Sequence, residues 1–358
     1  MRAPGLPLDR PTPEGLILRD DGRTQQHAAG AGQCSGMNAR PAGFLTTRLR
    51  AARLTVGALV PLLVLWIALS FSSPYFLTKI NILNVFLQAA IVGVLAFGST
   101  VVLISGEIDL SIGALEGFTA VIAALVLVTL GLPWPLGVLA AVGCGTVGGL
   151  VNGLITTQIG IPSFIATLAT LGMASGVALR ITGGNSIYGF PPAYLEIGRG
   201  RILGLPISAL LAGLVLLALW LTLRFTRLGL HFYAVGGNSA AAAETGINPR
   251  RIKTIALTIS GGCAGIAGVL ISARLNAANG NFGQFDLLDA IAAVVIGGTA
   301  LTGGVGSLIG TLFGVLIIVT IRNGLDLLGV SPFWQTAAVG AMILIAAVLH
   351  RAASPRRT

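Results

Sequence analysis

Residues Leu83–Ile104 read LNVFLQAAIVGVLAFGSTVVLI and contain no charged side chain. A helix of about 20 apolar residues crosses the ~30 Å hydrocarbon core of a bilayer, so this stretch has the length and polarity of a transmembrane helix. Comparable runs recur to the end of the chain, and they predict an all-α integral membrane protein with about ten transmembrane helices. The runs are 54–71, 83–104, 111–130, 136–156, 163–180, 206–223, 254–273, 287–302, 305–321 and 333–349.

The composition supports the same class of protein. Hydrophobic residues make up 54% of the 358 residues and charged residues 9%, whereas soluble domains carry ~25% charged residues. Such a chain has too little polar surface to cover a water-exposed globule, which almost excludes a soluble enzyme and excludes general disorder. The histidines and cysteines are scattered, so no catalytic cluster, metal site or disulfide framework is expected.

The distribution of basic residues predicts the topology. The net charge is +10, but the basic residues are not interleaved with aromatic residues, so nucleic acid is not an expected partner. Most of them lie in the N-terminal tail, in the segment 224–253 and at the C-terminus, which by the positive-inside rule puts both termini in the cytoplasm. The basic residues left on the outer side are Lys79, Arg180, Arg199, Arg201, Arg274 and Arg322.

Three regions follow from these patterns. Residues 1–50 are rich in Arg and Pro and are expected to form a disordered cytoplasmic tail, within which Met37 offers an alternative start. Residues 51–352 form the transmembrane domain, and residues 353–358 form a short cytoplasmic tail. Glycine-rich, polar interruptions after Ser105 and around Gly303 and Gly304 predict broken or re-entrant helices, which are tolerated at membrane depth only where protein or a water-filled cavity covers them.

The first polar interruption, SGEIDLSIG at 105–113, places two carboxylates close to an apolar run. Asp109 and Ser111 directly precede that run, so the favoured interpretation is a helix cap with acidic charge near the helix start. The alternative is that both side chains face a substrate pathway.

Polar residues in two further segments have the same ambiguity. Pro162 and Ser163 predict the start of a helix after a short turn, and Thr167 is expected to bond a neighbouring helix or to face the pathway. In the segment 286–307, glycine pairs around Thr299 predict irregular backbone, and Asp289 is expected to be a capping or interfacial residue. The tentative pathway residues are Asp109, Ser111, Asn152, Phe164, Thr167 and Thr299.

The long polar segment 224–253 contains the pattern of a short surface helix. Asn238 or Ser239 supplies the cap, an alanine run favours the helix, and Gly246 is placed to end it. A helix this short is marginal in water, so we expect it to dock on a partner in the cytoplasm.

Together these motifs resemble the membrane-spanning permease of the ribose-type sugar ATP-binding-cassette (ABC) importers. That family shows a Gly-x-Ile-Asp-Leu-Ser-x-Gly segment, matched at 106–113, and a Val-Asn-Gly stretch followed by Phe-Ile-Ala-Thr-Leu, matched at 151–153 and 164–168. It also shows a cytoplasmic Gly-Gly-Asn…Gly-Ile helix, matched at 236–247, and an Asp-Ala-Ile-Ala-Ala-Val-Val-x-Gly-Gly-Thr segment, matched at 289–299. The resemblance covers about residues 54–350.

The resemblance implies a non-enzymatic permease subunit in the cytoplasmic (inner) membrane that imports a monosaccharide such as ribose, xylose, arabinose or galactose. It implies an ATP-binding ATPase subunit, an extracytoplasmic sugar-binding protein and a second permease copy as partners, besides membrane lipid. It also implies a coupling helix near 236–248 that docks on the ATPase. The coupling residues are Asn238, Ser239, Ala243, Glu244, Gly246 and Ile247.

The energy source is expected to lie in another polypeptide. A phosphate-binding loop needs Gly-Lys-Ser/Thr, and only Lys253 precedes a threonine, with Ile252 where glycine is required. The ATP is therefore bound by the partner and the chain itself has no expected cofactor. Two alternatives stay open: an ion-coupled secondary transporter, for which the spans offer Glu116 as a buried carboxylate, and an intramembrane enzyme, disfavoured by the scattered histidines.

Overall fold

The computed structural model describes residues 59–353 of the chain. The expectations for the tail 1–50, for a start at Met37 and for residues 354–358 therefore lie outside the described residues. Ala353, which the sequence pattern assigns to the C-terminal tail, is the last residue of a helix.

Helices dominate the described residues, and most of each predicted apolar run that falls among these residues lies in a helix. π-Helical turns at Leu125–Thr129 and Ile155–Ile159 extend two of the helices, α3 and α4. The bounds are α1 Leu59–Ser72, α2 Lys79–Ile104, α3 Ile112–Ala124, α4 Trp134–Leu154, α5 Ser163–Thr182, α6 Pro192–Arg199, α7 Ile207–Phe225, α8 Arg227–Gly237, α9 Ser239–Glu244, α10 Pro249–Leu275, α11 Gln284–Ile296, α12 Leu308–Leu327 and α13 Pro332–Ala353.

Seven helices among the described residues are long and apolar enough to cross a membrane: α2, α3, α4, α5, α7, α10 and α12 with their π-helical extensions. The helices of the first, eighth and tenth runs are not among these seven, so the count of about ten spans stays a prediction. The eighth run falls short because α11 has 13 residues and is followed by turns with positive φ at Gly298, Gly303 and Gly304. At 1.5 Å per residue α11 is only about 20 Å long. The predicted break around Gly303 and Gly304 is therefore confirmed.

Four two-residue strands form two antiparallel pairs in the connections. Strand β1, Ile187–Tyr188, pairs with β4, Ala277–Ala278, and brings the connection after α5 against the end of α10. Strands β2, Arg201–Ile202, and β3, Leu205–Pro206, form a tight hairpin before α7.

Helix α10 is central and packs against α2, α3 and α4. Its contact with α4 is made by glycines on both helices: a Cβ at Gly145 would overlap the backbone of Gly261 and Gly265, and a Cβ at Gly149 would overlap that of Leu257 and Gly261. Small residues at such spacing let helix backbones approach closely. The glycines in the middle of α4 and α10 therefore serve tight helix packing.

Polar side chains join α2 to α12 inside the bundle. The side-chain amides of Asn81 and Asn323 donate to each other's oxygens at 2.9 and 2.7 Å, and the hydroxyls of Thr100 and Thr311 lie 2.7 Å apart. All four side chains are buried. In a membrane an apolar side chain gains little by leaving lipid for protein. Hydrogen bonds of this kind therefore help to hold neighbouring helices together.

The outer helices have a different surface. Helix α7 is as apolar as α2, yet only 11% of its most apolar window is buried, against 83% for α2. An apolar helix that is exposed within its own chain indicates contact with lipid or with another membrane protein. The described part of the chain is therefore a multi-pass, mostly helical membrane protein.

Candidate functional site

The polar loop between α2 and α3 is fixed by the carboxylate of Asp109, which is 4% exposed. Its Oδ1 accepts hydrogen bonds from the backbone N–H of Ser111 at 2.8 Å and from the Ser111 hydroxyl at 2.6 Å. Its Oδ2 accepts from the hydroxyl of Ser260, in the middle of α10, at 2.8 Å. Burial raises the pKa of the Asp109 carboxyl, and these hydrogen bonds oppose part of that rise. Asp109 therefore joins the loop to the central helix.

Asn152 extends this hydrogen-bond network to α4 and α5. Its side-chain NH₂ donates to the hydroxyl of Ser111 at 2.9 Å, and its Oδ1 accepts from the hydroxyl of Thr170 on α5. Asn152 is completely buried, so both of its polar atoms need these partners.

The first residues of α5 bind the backbone of the same loop. The hydroxyl of Ser163 accepts from the N–H of Ile108, and the hydroxyl of Thr167 accepts from the N–H of Leu110, both at 3.1 Å. The predicted helix start at Ser163 is confirmed. Four of the six tentative pathway residues, Asp109, Ser111, Asn152 and Thr167, thus meet at one buried loop.

The capping interpretation of Asp109 and Ser111 is wrong in its geometry. Ser111 occupies the N-cap position of α3, but within the described residues its side chain accepts no hydrogen bond from the first turn. Asp109 does accept from the N–H two residues further on, but that N–H belongs to Ser111, which precedes the first helical residue, Ile112, so it is not a cap of the first turn of α3. The loop is buried by neighbouring helices, so tertiary partners take the place of a local cap.

The two other tentative pathway residues lie apart from this network. Phe164 is 49% exposed on the surface of α5. Thr299 is buried beside Gly306 and Ile104, and within the described residues its hydroxyl has no hydrogen-bond partner. The sequence pattern groups these residues with Asp109, but the structure does not.

The segment predicted as a coupling helix forms the short helix α9. Asn238 caps it, since Oδ1 accepts from the N–H groups of Ala240 and Ala241 at 3.1 and 3.0 Å. Gly246 has φ 86°, which ends the helix as predicted. Ala242 is buried against α8 and α10, whereas Ala243 and Glu244 are exposed and Ser239 and Ile247 are half-buried. The helix therefore presents one face that a partner protein could cover.

Three chain segments meet shortly before the start of α9, at a contact that we call the glycine junction. Its residues are Ile104 and Gly106 at the end of α2, Gly236 in α8, and Gly303 and Gly304 after α11. The N–H of Gly304 donates to the carbonyl oxygen of Ile104 at 2.9 Å. A Cβ at Gly236 would overlap both of these groups, and a Cβ at Gly303 would overlap the backbone of Gly106 and Gly236. The end of α8 thus contacts, through backbone atoms, the two loops that follow α2 and α11.

Two side-chain contacts reinforce this end of the molecule. Lys253 Nζ, in the first turns of α10, lies 2.7 Å from Glu107 Oε1 in the loop after α2. The hydroxyl of Tyr233, on α8, donates to the carbonyl oxygen of Gly306 at 3.0 Å. These contacts join α10 to the loop after α2 and α8 to the loop after α11.

Asp289 is not a helix cap, which corrects that part of the sequence-based expectation. It lies within α11, is 1% exposed, and forms a two-point ion pair with Arg322 of α12 at 2.7 and 2.6 Å. A carboxylate in an apolar run needs a charge partner, and the partner lies on a different helix. Within residues 59–353, no group of three or more His, Cys, Asp or Glu side chains is placed to hold a metal ion.

Residues 81–347 match the family model described as branched-chain amino acid transport system / permease component. The chain belongs to this permease family. The matched residues include the loop of Asp109, α9, the glycine junction and the Asp289–Arg322 pair, so the whole candidate site lies inside the family domain.

Several relatives are named as sugar permeases. The chain is 42% identical to the ribose import permease protein RbsC of Bacillus subtilis (strain 168), over 83% of this chain and 92% of that protein. It is 34% identical to the D-allose transport system permease protein AlsC of Escherichia coli (strain K12), over 79% and 86%. It is also 34% identical to the xylose transport system permease protein XylH of Haemophilus influenzae, over 76% and 88%. No solved structure has significant similarity to the chain.

Sequence reasoning missed the distant partners of these residues. Ser260 completes the Asp109 network, and Lys253 pairs with Glu107. The available signal was their polarity: a serine in the middle of the apolar α10 has to find a hydrogen-bond partner inside the bundle. The sequence does not say which partner it finds.

Proposed function

We propose that this chain is the membrane-spanning permease subunit of an ABC importer that carries a monosaccharide into the cell. The ribose, allose and xylose permeases that it resembles over most of its length support the substrate class. The observation that carries the mechanism is the exposed, capped helix α9, connected directly to the glycine junction.

In this proposal α9 and its flanks dock on the ATPase subunit, which binds ATP. The contact face comprises Ala243, Glu244 and Gly246, with Ile247 at its edge, and Asn238 and Ser239 fix the start of the helix. Closure of the ATPase pair moves α8, and the close backbone contact at Gly236 passes this movement to Ile104 and Gly304. ATP drives such a switch only because it favours one of the two arrangements over the other.

The remaining partners and the topology belong to the same proposal. The chain has about ten spans with both ends in the cytoplasm, and it lies in the cytoplasmic membrane surrounded by lipid. A second permease copy completes the translocation pore, and an extracytoplasmic binding protein delivers the sugar. The subunit is not itself an enzyme, carries no cofactor and has no nucleic-acid partner.

The tentative pathway residues divide into two roles. Asp109, Ser111, Asn152 and Thr167 position the loop after α2, because their polar atoms are occupied by one another and by neighbouring helices. Phe164 and Thr299 remain candidates for contact with sugar, since the ring of Phe164 is exposed and the buried Thr299 hydroxyl is not used by the described residues.

One observation favours the alternative of an ion-coupled secondary transporter. Glu116 in α3 is fully buried, and neither of its carboxylate oxygens has a hydrogen-bond partner within the described residues. Buried ionisable residues of this kind serve as coupling sites in secondary transporters.

Reconstitution distinguishes the two functions. The chain is placed in proteoliposomes with the ATPase and binding protein encoded beside it, and uptake of radiolabelled ribose, xylose and allose is measured. The importer requires ATP hydrolysis and the binding protein, and an uncoupler leaves uptake unchanged. Uptake by the chain alone that an uncoupler abolishes would replace the proposal with the secondary transporter.

A further inference from the structure

A polar cavity lies at the end of α2 and α10 opposite to the glycine junction. It has a volume of about 230 Å³ and is formed by α2, α10, α11, α12 and the start of α13. Gln88 in its wall lies about 24 Å along α2 from Ile104, because a helix rises 1.5 Å per residue. On the proposed topology the cavity is therefore on the outer side of the membrane.

The walls of the cavity carry both hydrogen-bond acceptors and donors. Asp326 is exposed at the rim and accepts from the side-chain amide of Gln335 at 2.6 Å, while Asp289 is buried in its pair with Arg322. The acceptors are the carboxylates of Asp286, Asp289 and Asp326, and the further donors are Arg274 and Gln88.

Three of the lining side chains have no protein partner. Within the part of the chain that the structure describes, Gln88, Arg274 and Asp286 form no side-chain hydrogen bond and no ion pair within 4.0 Å. Polar groups at such half-buried positions are normally satisfied by protein or by bound molecules. These three therefore have capacity for a ligand that supplies both donors and acceptors.

Aliphatic side chains form a minor part of the lining. Ile91 and Val92 of α2 and Val319 of α12 are each at most 5% exposed, so little of their surface faces the cavity. The polar groups therefore determine which ligand the cavity binds.

Charge and size restrict the ligand further. A free anion would meet three carboxylates and a free cation would meet two guanidinium groups, whereas a neutral hydroxyl can donate to the first and accept from the second. A cavity of about 230 Å³ lies below the roughly 300–1,000 Å³ of typical ligand pockets, so it suits a small ligand such as one monosaccharide better than a larger one.

We propose that this cavity is a binding site for a single neutral monosaccharide within each permease subunit, occupied before the sugar crosses the membrane. This inference rests on the proposed function, because it assigns a place to the substrate of that importer. Gln88, Arg274 and Asp286 bind the hydroxyls.

The test measures sugar binding to the full-length chain in lipid nanodiscs, without the ATPase. Saturation-transfer NMR with D-ribose, D-xylose and D-allose as probes gives the dissociation constant. Gln88→Leu removes the amide at similar volume, and we expect about three- to tenfold weaker binding from the loss of one hydrogen bond. Asn84→Leu, on an exposed face one turn earlier in α2, is the matched control and binds like the unchanged protein.

Each outcome decides a separate point. Equal binding by Gln88→Leu and Asn84→Leu, or no saturation transfer to any of the three sugars, shows a cavity that holds only water and overturns the inference. If Gln88→Leu fails to fold, Asp286→Asn makes the same test at a second half-buried side chain that binds the hydroxyls, and it keeps the shape of that side chain. ATP-driven uptake by the reconstituted complex judges the proposed function, and it can succeed when the cavity proposal fails.

Discussion

The N–H of Gly304 donates to the carbonyl oxygen of Ile104 at 2.9 Å, and the α-carbon of Gly236 lies against the same two groups. A side chain at position 236 cannot fit without moving one of the two loops. Glycine is thus required at this position because the neighbouring backbone leaves no room for a Cβ, and not because the backbone adopts a positive φ.

We predict that Gly236→Ala separates these loops and lowers ATP-driven uptake at least severalfold. Overpacking of this kind costs about 1–3 kcal/mol of folding free energy, which thermal melting of the solubilised protein measures. Gly237→Ala is the matched control, because a Cβ there meets nothing within 4 Å. If both variants melt and transport alike, the contact at Gly236 does not carry the movement.

Gly246→Pro is expected to abolish ATP-driven uptake while the protein still inserts into the membrane. Proline fixes φ near −65°, against 86° here, and removes the N–H that bonds Ala243 O at 3.0 Å. Deletion of residues 240–244 should have the same effect. Gly246→Asn retains the N–H and tolerates positive φ, so it should transport. Normal uptake by the proline variant would refute the coupling role of α9.

Asp109→Ala is expected to reduce the amount of protein in the membrane, with little change in the KM for sugar. The hydroxyls of Ser111 and Ser260 lose their acceptor, at a cost of about 1–3 kcal/mol. Asp109→Asn keeps one acceptor oxygen and should be affected less. Quantitative blotting and uptake kinetics check both points, and normal abundance with an altered KM would instead indicate a residue that contacts sugar.

Arg322→Gln is expected to lower the melting temperature strongly, because it leaves Asp289 charged and buried. Breaking one side of a buried pair costs about 3–5 kcal/mol. The double variant Asp289→Leu, Arg322→Met replaces both charges by apolar groups and should recover much of the loss. A double variant as unstable as the single one would show that the pair contributes more than mutual neutralisation.

Local features of this fold are readable from the sequence. Apolar length predicts α2 and α10, the polar side chain of Asn238 predicts the cap of α9, and Gly246 predicts its end. Each of these depends on neighbours within a few residues, where propensity and capping rules apply.

Tertiary partners are not readable in the same way. Asp109 binds Ser260, which is 151 positions away in the chain. Asp289 of α11 binds Arg322 on the next helix, α12, across a turn-rich loop. Local rules assign both carboxylates to helix termini because nothing in the sequence marks the distant partner. Burial distinguishes a local cap from a tertiary contact, because a carboxylate inside a helix bundle needs a donor or a cation close by.

The contact between α4 and α10 has a mechanical consequence. No layer of side chains separates Gly145 and Gly149 from Gly261, so no rotamer change can absorb a shift of one helix against the other. The two helices must tilt together as one stiff rod. Since α10 has 27 residues and is about 40 Å long, a tilt of about 10° about one end displaces the other end by about 7 Å. A small tilt of this helix pair at one end therefore becomes a movement of several ångströms at the other.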